Sequence, residues 1–66
     1  MSVIPNSSVK YIRAVGWVAR IEFHVRVGTP EVGTYVDGQR LGRWRVKRVL
    51  REGGLLLGAV VEAERS

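Results

Sequence analysis

The sequence predicts an all-β fold, a single small barrel or half-barrel of about five strands with a long, bent first strand. Two observations predict it: apolar and polar residues alternate with a period of two from residue 9 to residue 27, and the turn dipeptides Asp37-Gly38 and Gly53-Gly54 separate the later segments. A chain of 66 residues without cysteine makes one domain that buries only about 60% of its unfolded surface and has no disulfide. A tight β core, oligomerisation or a bound partner must therefore stabilise it.

The first part of the chain divides into an arm and a strand. Residues 1–8 contain Pro5-Asn6-Ser7-Ser8 and are expected to form a flexible arm, which leaves residues 9–66 as the β domain. The alternating segment 9–27 exceeds the usual strand length of about 5–6 residues, so Gly16 is expected to bend or bulge the strand and let it curl across two sheets. The expected core residues of this strand are Val9, Tyr11, Val15, Trp17, Ala19, Ile21, Phe23, Val25 and Val27.

Turn residues place the remaining strands. A loop over 28–33 leads to a short strand over 34–36, and Asp37-Gly38 is typical of a type I′ hairpin turn. Residues 43–51 form the next strand, because a helix there would scatter its apolar residues around most of its circumference. Gly53-Gly54 predicts a two-residue turn into a last strand over 55–63.

The Gly53-Gly54 turn fixes a register for the terminal hairpin. In that register Trp44, Val46 and Leu50 face the core, and Gly58 marks a close approach of two backbones. The predicted core pairs are Leu50 with Leu57, Val46 with Val61 and Trp44 with Ala63, and the predicted charge pairs are Arg45 with Glu62 and Arg43 with Glu64.

This order of elements resembles the plan of small five-stranded barrels of the SH3-like or OB type. The features that carry the resemblance are Gly16, Asp37-Gly38 and Gly53-Gly54. An OB-fold usually adds length and a helix between strands, for which this chain has no segment, so an SH3-like barrel is expected. A likeness at the level of the fold implies no function.

The charge pattern indicates a nucleic-acid surface. The net charge is +5, and the basic segment 40–51 holds six Arg or Lys residues, no acidic residue, and Trp44. Arginine binds phosphate through two parallel hydrogen bonds, so we expect phosphate contacts to DNA or RNA with weak sequence specificity. The expected main contacts with phosphate are Arg40, Lys47, Arg48 and Arg51. Arg20 and Arg26 are expected to flank them, and Arg43 and Arg45 are secondary candidates. The solvent side of an ordinary salt-bridged sheet would show the same pattern.

Catalysis is not expected. The chain has one histidine, His24, no cysteine, and no carboxylate pair at a spacing that suggests a cleft. We expect no catalytic residue, metal site, cofactor or small-molecule substrate. Base stacking would need an exposed aromatic. Parity assigns Tyr11, Trp17 and Trp44 to the core, which leaves Tyr35, beside the Asp37-Gly38 turn, as the candidate for exposure. Without an apolar run long enough for a signal peptide or a membrane span, a cytoplasmic protein with no membrane partner is expected.

The last strand supports an alternative function. Residues 55–61 carry no charge, and their second face would leave Leu56 and Val60 exposed beside Val49. A strand that is apolar on both faces is normally covered on both. The alternative is therefore a structural or protein-interaction module that forms a homo-oligomer through Val49, Leu56 and Val60.

Overall fold

Six β-strands and three 3-10 turns make up the computed structural model, which describes residues 2–66. The predicted all-β half-barrel of the SH3-like class is confirmed. Met1, part of the predicted arm, lies outside the described residues. The strands are β1 Val3–Ile4, β2 Val9–Val15, β3 Val18–Phe23, β4 Tyr35–Asp37, β5 Arg43–Arg51 and β6 Val60–Arg65, and the 3-10 turns are Asn6–Ser8, Val25–Val27 and Gln39–Leu41.

The connection between β1 and β2 requires the sheet to curl. The strand order is β1-β4-β5-β6-β3-β2, so β1 and β2 lie at opposite edges, yet only residues 5–8 join them. A flat six-stranded sheet would separate its edges by about 24 Å, whereas this connection spans at most about 17 Å. Asn6 Nδ2 donates a hydrogen bond to the Asp37 carbonyl oxygen at 3.2 Å, and the His24 N–H donates to the Ser8 carbonyl oxygen at 3.0 Å. These bonds tie the connection to β4 on one side and to the end of β3 on the other.

Part of the predicted arm belongs to the sheet. Val3 and Ile4 form β1 and pair in parallel with Tyr35 and Val36 of β4. Ile4 also packs against the core. Without β1, the three-residue strand β4 would leave its outer backbone edge unpaired, and β1 satisfies those groups.

The prediction of one bent strand over residues 9–27 is wrong, because the chain reverses direction at Gly16-Trp17. Here β2 and β3 pair antiparallel, with Val15 opposite Val18. Residues that are paired across a two-residue turn point to the same side of the sheet, and one of the two has an odd number and the other an even number. The residues that face the core are therefore mainly even-numbered in β2 and odd-numbered in β3. A shift in the β2–β3 register between Val9 and Tyr11 adds a second irregularity.

That change of parity decides which predicted core residues are buried. Ala19, Ile21 and Phe23 are buried as predicted, and Val9 and Val27 are partly buried against them. The residues predicted in the core but exposed in the structure are Tyr11, Val15, Trp17 and Val25. Ile12 and Ala14 of β2 pack on the core instead.

The β4–β5 hairpin is present, but its turn is longer than predicted. The two-residue type I′ turn is wrong, since the 3-10 turn Gln39–Leu41 intervenes between the strands. The Asp37 carboxylate accepts a hydrogen bond from the Gln39 N–H at 2.8 Å and closes the start of this loop. Trp44 and Val46 are fully buried, as predicted.

Strand β5 has its predicted bounds, but the Gly53-Gly54 turn is wrong. Residues 52–59 form a loop, and β6 begins at Val60. The register consequently moves by two residues, so Val46 faces Ala63 rather than Val61. A two-residue shift keeps each side chain on its predicted face, which is why Val61 and Ala63 are still buried.

Two register irregularities in β5 change which residues near its end face the core. They follow Val46 and Val49, and each inserts one extra residue on β5 relative to β6. Val49 therefore packs against the core, and Leu50, predicted to be buried, is exposed. Leu55 and Leu57, also predicted in the core, are exposed in the loop.

Gly58 allows two backbones to approach closely, as predicted. The Phe23 carbonyl oxygen occupies the space that a Cβ on Gly58 would need. Next to it, the Phe23 N–H donates a hydrogen bond to the Ala59 carbonyl oxygen at 2.9 Å. This contact holds the loop 52–59 against the end of β3. Within residues 2–66, no helix is long and apolar enough to cross a membrane.

Candidate nucleic-acid interface

The side chains that alternate with the core residues of β2, β3, β6 and β5 form one surface, called here the outer face. Its central row crosses the sheet through residues that are partners in the strand registers. In order from β2 to β5 this row reads Arg13, Arg20, Glu62 and Arg48. The rows on either side are Val15, Val18, Glu64 and Arg45, and Tyr11, Glu22, Val60 and Arg51.

The outer face carries the net charge of the whole chain. Eight of the eleven basic residues and three of the six acidic residues lie on it, which leaves a balance of +5. The other three arginines and three acids lie in turns, loops, β4 and the end of β6, and they cancel. The charged residues of the outer face are Lys10, Arg13, Arg20, Arg43, Arg45, Lys47, Arg48, Arg51, Glu22, Glu62 and Glu64.

The acids of β6 lie beside the basic residues of β5. Arg45 Nη2 lies 2.8 Å from Glu64 Oε1, and Lys47 Nζ lies 3.8 Å from Glu64 Oε2. Arg48 Nε lies 3.2 Å from Glu62 Oε1. The predicted pair of Arg45 with Glu62 is therefore wrong, because the register is shifted by two residues and brings Glu64 opposite Arg45.

The charge on Glu64 is stabilised by these neighbours. The hydrogen bond from Arg45 lowers the pKa of the Glu64 carboxyl below its ordinary value, while desolvation opposes this shift and the positive charge of Lys47 adds to it. The same hydrogen bond raises the pKa of the Arg45 guanidinium. Arg45 and Glu64 are thus both fully charged at neutral pH.

A second ion-pair cluster centres on Glu22. Arg51 Nη2 lies 3.6 Å from Glu22 Oε2, and Lys10 Nζ lies 3.8 Å from the same oxygen. Arg51 also donates from Nε and Nη2 to the Gly58 carbonyl oxygen at 3.2 and 2.8 Å. Three of the expected main contacts, Lys47, Arg48 and Arg51, are therefore ion-paired.

Arg13 and Arg20 are exposed and lie directly opposite each other across β2 and β3. In the part of the chain that the structure describes, neither guanidinium lies within ion-pair distance of a carboxylate; Glu62, beside Arg20, pairs with Arg48. Like charges opposite each other destabilise a sheet, and an anion bound between them would remove that repulsion. The sequence-based prediction missed Arg13, because in a single bent strand it only interrupted the apolar parity.

Two predicted contacts lie away from the outer face. Arg26 is in the 3-10 turn Val25–Val27, and Arg40 is in the 3-10 turn Gln39–Leu41. Arg43 is on the outer face, where its guanidinium carbon lies 6.0 Å from the centroid of the Tyr35 ring.

One tryptophan that was predicted in the core lies on the surface. Trp17 is 74% exposed at the β2–β3 turn, and Tyr11 is exposed on the outer face. The Arg65 guanidinium carbon lies 5.9 Å from the centroid of the Trp17 ring. The protein therefore presents a tryptophan on which a base could stack, at a position that the sequence pattern assigned to the core.

The predicted oligomer-interface residues lie in three different settings. Val49 packs against the core, Val60 is half-buried on the outer face, and Leu56 is exposed in the loop 52–59. Leu55 and Leu56 are 96% and 90% exposed, and with Leu57 they form three consecutive exposed leucines, called here the leucine loop.

Metal-binding side chains are not clustered in the described structure. Over residues 2–66, no three His, Cys, Asp or Glu residues are grouped so that they could hold a metal ion. His24 is exposed after the end of β3. Comparison of the chain with protein-family models, curated protein sequences and solved structures finds no match.

Proposed function

We propose that this protein is a non-enzymatic nucleic-acid-binding protein that contacts phosphates through its outer face. The observation that carries the proposal is the concentration of the whole net charge of +5 on that face. A surface with an excess of positive charge attracts the phosphate backbone and releases its counterions. Because phosphates carry no sequence information, binding is weakly sequence-specific to DNA or RNA. The absence of cysteine suits the reducing cytoplasm, where we place this activity.

The arginine pair Arg13 and Arg20 forms the centre of the proposed contact. Both side chains are exposed, and together with Glu62 they line an open depression of about 270 Å³. The ion-paired residues of β5 can still contribute, because exposed pairs contribute only about 0–1 kcal/mol and can exchange a carboxylate for a phosphate at small cost. Arg26 and Arg40, which lie off this face, contribute little.

Two double variants with equal net charge test this proposal. R13Q/R20Q removes the central pair, and R26Q/R40Q removes two charges away from the outer face. Affinity for a labelled 20-nucleotide strand and for the corresponding duplex is measured at several salt concentrations from 50 mM. R13Q/R20Q should reduce the slope of log affinity against log salt by about 2, and R26Q/R40Q should leave it nearly unchanged. Equal effects of the two variants, or no binding by the native chain at 50 mM, would contradict the proposal.

A second candidate function is self-assembly into a homo-oligomer. The leucine loop favours it, since a contiguous exposed apolar surface usually marks a partner site. A second copy is the proposed occupant, because a 66-residue domain without a disulfide gains stability from oligomerisation.

Light scattering at about 100 μM measures the mass of the native chain, L56K and V32K. Val32 is also exposed and lies in a different loop, so V32K is the matched control. Self-assembly requires a multimer that L56K dissociates and V32K does not. A native monomer at this concentration contradicts the self-assembly function. An absorbance ratio that shows nucleic acid co-purified at low salt supports the nucleic-acid-binding function.

A further inference from the structure

We propose that Trp17 is a base-stacking site, which makes single-stranded nucleic acid the preferred ligand of the outer face. This inference rests on the proposed phosphate contact and adds the recognition of bases. Trp17 is 74% exposed, whereas the other tryptophan, Trp44, is fully buried. A large aromatic held out into water offers a flat apolar surface to a base.

The backbone holds Trp17 in a defined position. Gly16 has a φ of +62° and sets the tight turn, and the Trp17 carbonyl oxygen accepts a hydrogen bond from the Arg65 N–H at 2.8 Å. The indole is thus attached to a two-residue turn that is tied to the end of β6. A preorganised aromatic loses little conformational freedom when a base stacks on it.

Arg65 adds a positive charge at the tryptophan. Its guanidinium carbon lies 5.9 Å from the Trp17 ring centroid and 5.3 Å from that of Trp44, so the buried indole helps to position it. The guanidinium can bind a phosphate, and the exposed indole beside it can stack on a base. With 74% of its surface accessible, Trp17 remains open despite this neighbour.

The stacking site adjoins the proposed phosphate contact. The pair Val15 and Val18, which flanks the turn, lies two residues along the strands from the pair Arg13 and Arg20. Trp17 lies one residue beyond Val18, so its backbone is three residues, or about 10 Å, from Arg20 along β3. A single strand that places a phosphate at the arginine pair can therefore reach Trp17 with a base one or two nucleotides further along. The bases of a duplex are stacked on each other and are not free for this contact.

The experiment compares a 12-nucleotide oligothymidylate with an abasic oligomer of equal length. It uses the native chain, W17A, W17F, and the control V32A, which truncates an exposed apolar residue elsewhere. W17A should weaken oligothymidylate binding about 5- to 150-fold, the range expected for one stacked base, and should leave abasic binding unchanged. W17F and V32A should retain most of the affinity. Binding of oligothymidylate should quench the tryptophan fluorescence of the native chain but not that of W17F, because Trp44 is buried.

The outcomes separate this inference from the proposed function. Equal affinity of the native chain for both oligomers, with W17A neutral, overturns the stacking site and leaves the phosphate contact intact. No binding of either oligomer at 50 mM salt overturns both. If light scattering shows that Trp17 instead maintains a dimer, and W17A binds oligothymidylate like the native chain, the tryptophan is a protein contact and the inference is wrong. Melting curves show that each variant is folded.

Discussion

Gly58 is the position at which a single methyl group would disturb the most structure. A Cβ there would overlap the Phe23 carbonyl oxygen, which belongs to the backbone and cannot move independently. The adjacent hydrogen bond from the Phe23 N–H to the Ala59 carbonyl oxygen would also be lost or stretched. The close approach is therefore a requirement of the fold and not only a preference for a flexible residue.

We expect G58A to destabilise the protein by about 3 kcal/mol, which is the upper end of the usual range for an overpacked site. The melting temperature should fall by more than about 12 °C. G54A is the matched control, since the nearest atom to a Cβ on Gly54 is the Leu57 carbonyl oxygen at 3.9 Å. Thermal unfolding followed by circular dichroism measures both variants. A G58A protein that is as stable as G54A would contradict the close contact.

Glu64 makes the stability of the protein depend on pH. Its pKa is lower in the folded state than in the unfolded state, so between these two values the unfolded chain binds more protons. The stabilisation is fully present above the ordinary glutamate pKa of about 4.3 and is lost as the pH falls through the lowered value. Titration of Glu64 therefore weakens the β5–β6 hairpin only in acid.

E64Q should accordingly be less stable than the native chain at pH 6, with a difference that shrinks by pH 3. E52Q serves as the control, because Glu52 is exposed in the loop 52–59 and lies in none of the ion pairs of the described structure. Urea unfolding at pH 3, 4, 5 and 6 supplies the four free energies for each protein. A constant difference between E64Q and the native chain would show that the Arg45–Glu64 pair does not titrate in this range.

At the scale of elements, the β2–β3 hairpin determines what the surface presents. Its two-residue turn sets the inward parity of both strands, exposes Trp17 and brings Arg13 opposite Arg20. Gly16 takes the left-handed conformation in that turn, which alanine adopts at a cost of about 1 kcal/mol or more and asparagine more readily.

G16A should therefore lower the free energy of unfolding by about 1 kcal/mol, and G16N should lower it by less. Urea unfolding of the two variants beside the native chain gives the ranking. The turn also positions Trp17, so the quenching of tryptophan fluorescence by oligothymidylate should be weaker in G16A than in G16N. The reverse order of stability would argue against a left-handed residue at this turn.

For the whole molecule, the consequence of the fold is the separation of charge. The curled sheet buries one face as the apolar core and leaves the other face with the net charge of +5. The acids of β3 and β6 lie between basic residues of β2 and β5, which limits repulsion within the folded chain while preserving the excess of positive charge.

If this face neutralises about four phosphates, log affinity should fall with log salt at a slope of about −3 to −4. Affinity should then drop on the order of a hundredfold between 50 and 200 mM salt. Fluorescence anisotropy of a labelled single strand at five salt concentrations measures the slope. A slope near zero, with binding retained at 200 mM, would mean that phosphate neutralisation does not drive the association.

The sequence by itself determined the all-β class, strand β5 with its bounds, the burial of Trp44, Val46, Val61 and Ala63, and the close approach at Gly58. The class, the strand and the buried residues follow from local alternation, and the close approach follows from a glycine within an apolar segment. Only the tertiary structure decided that residues 9–27 form a hairpin. A two-residue turn changes neither the composition nor the spacing of the apolar residues along the chain. It changes only whether the even-numbered or the odd-numbered side chains face the core.

The candidate site depended still more on the tertiary structure. The excess of basic residues was evident from the sequence, but which of them have acidic neighbours was not. That depends on the register between strands distant along the chain, and the loop 52–59 and two irregularities in β5 change that register. Arg48 and Arg51 consequently gained carboxylate partners, and Arg13 emerged without one in the described residues. Local patterns fix the face of a strand, whereas the pairing of charges is settled by backbone hydrogen bonds between strands, which only the folded sheet contains.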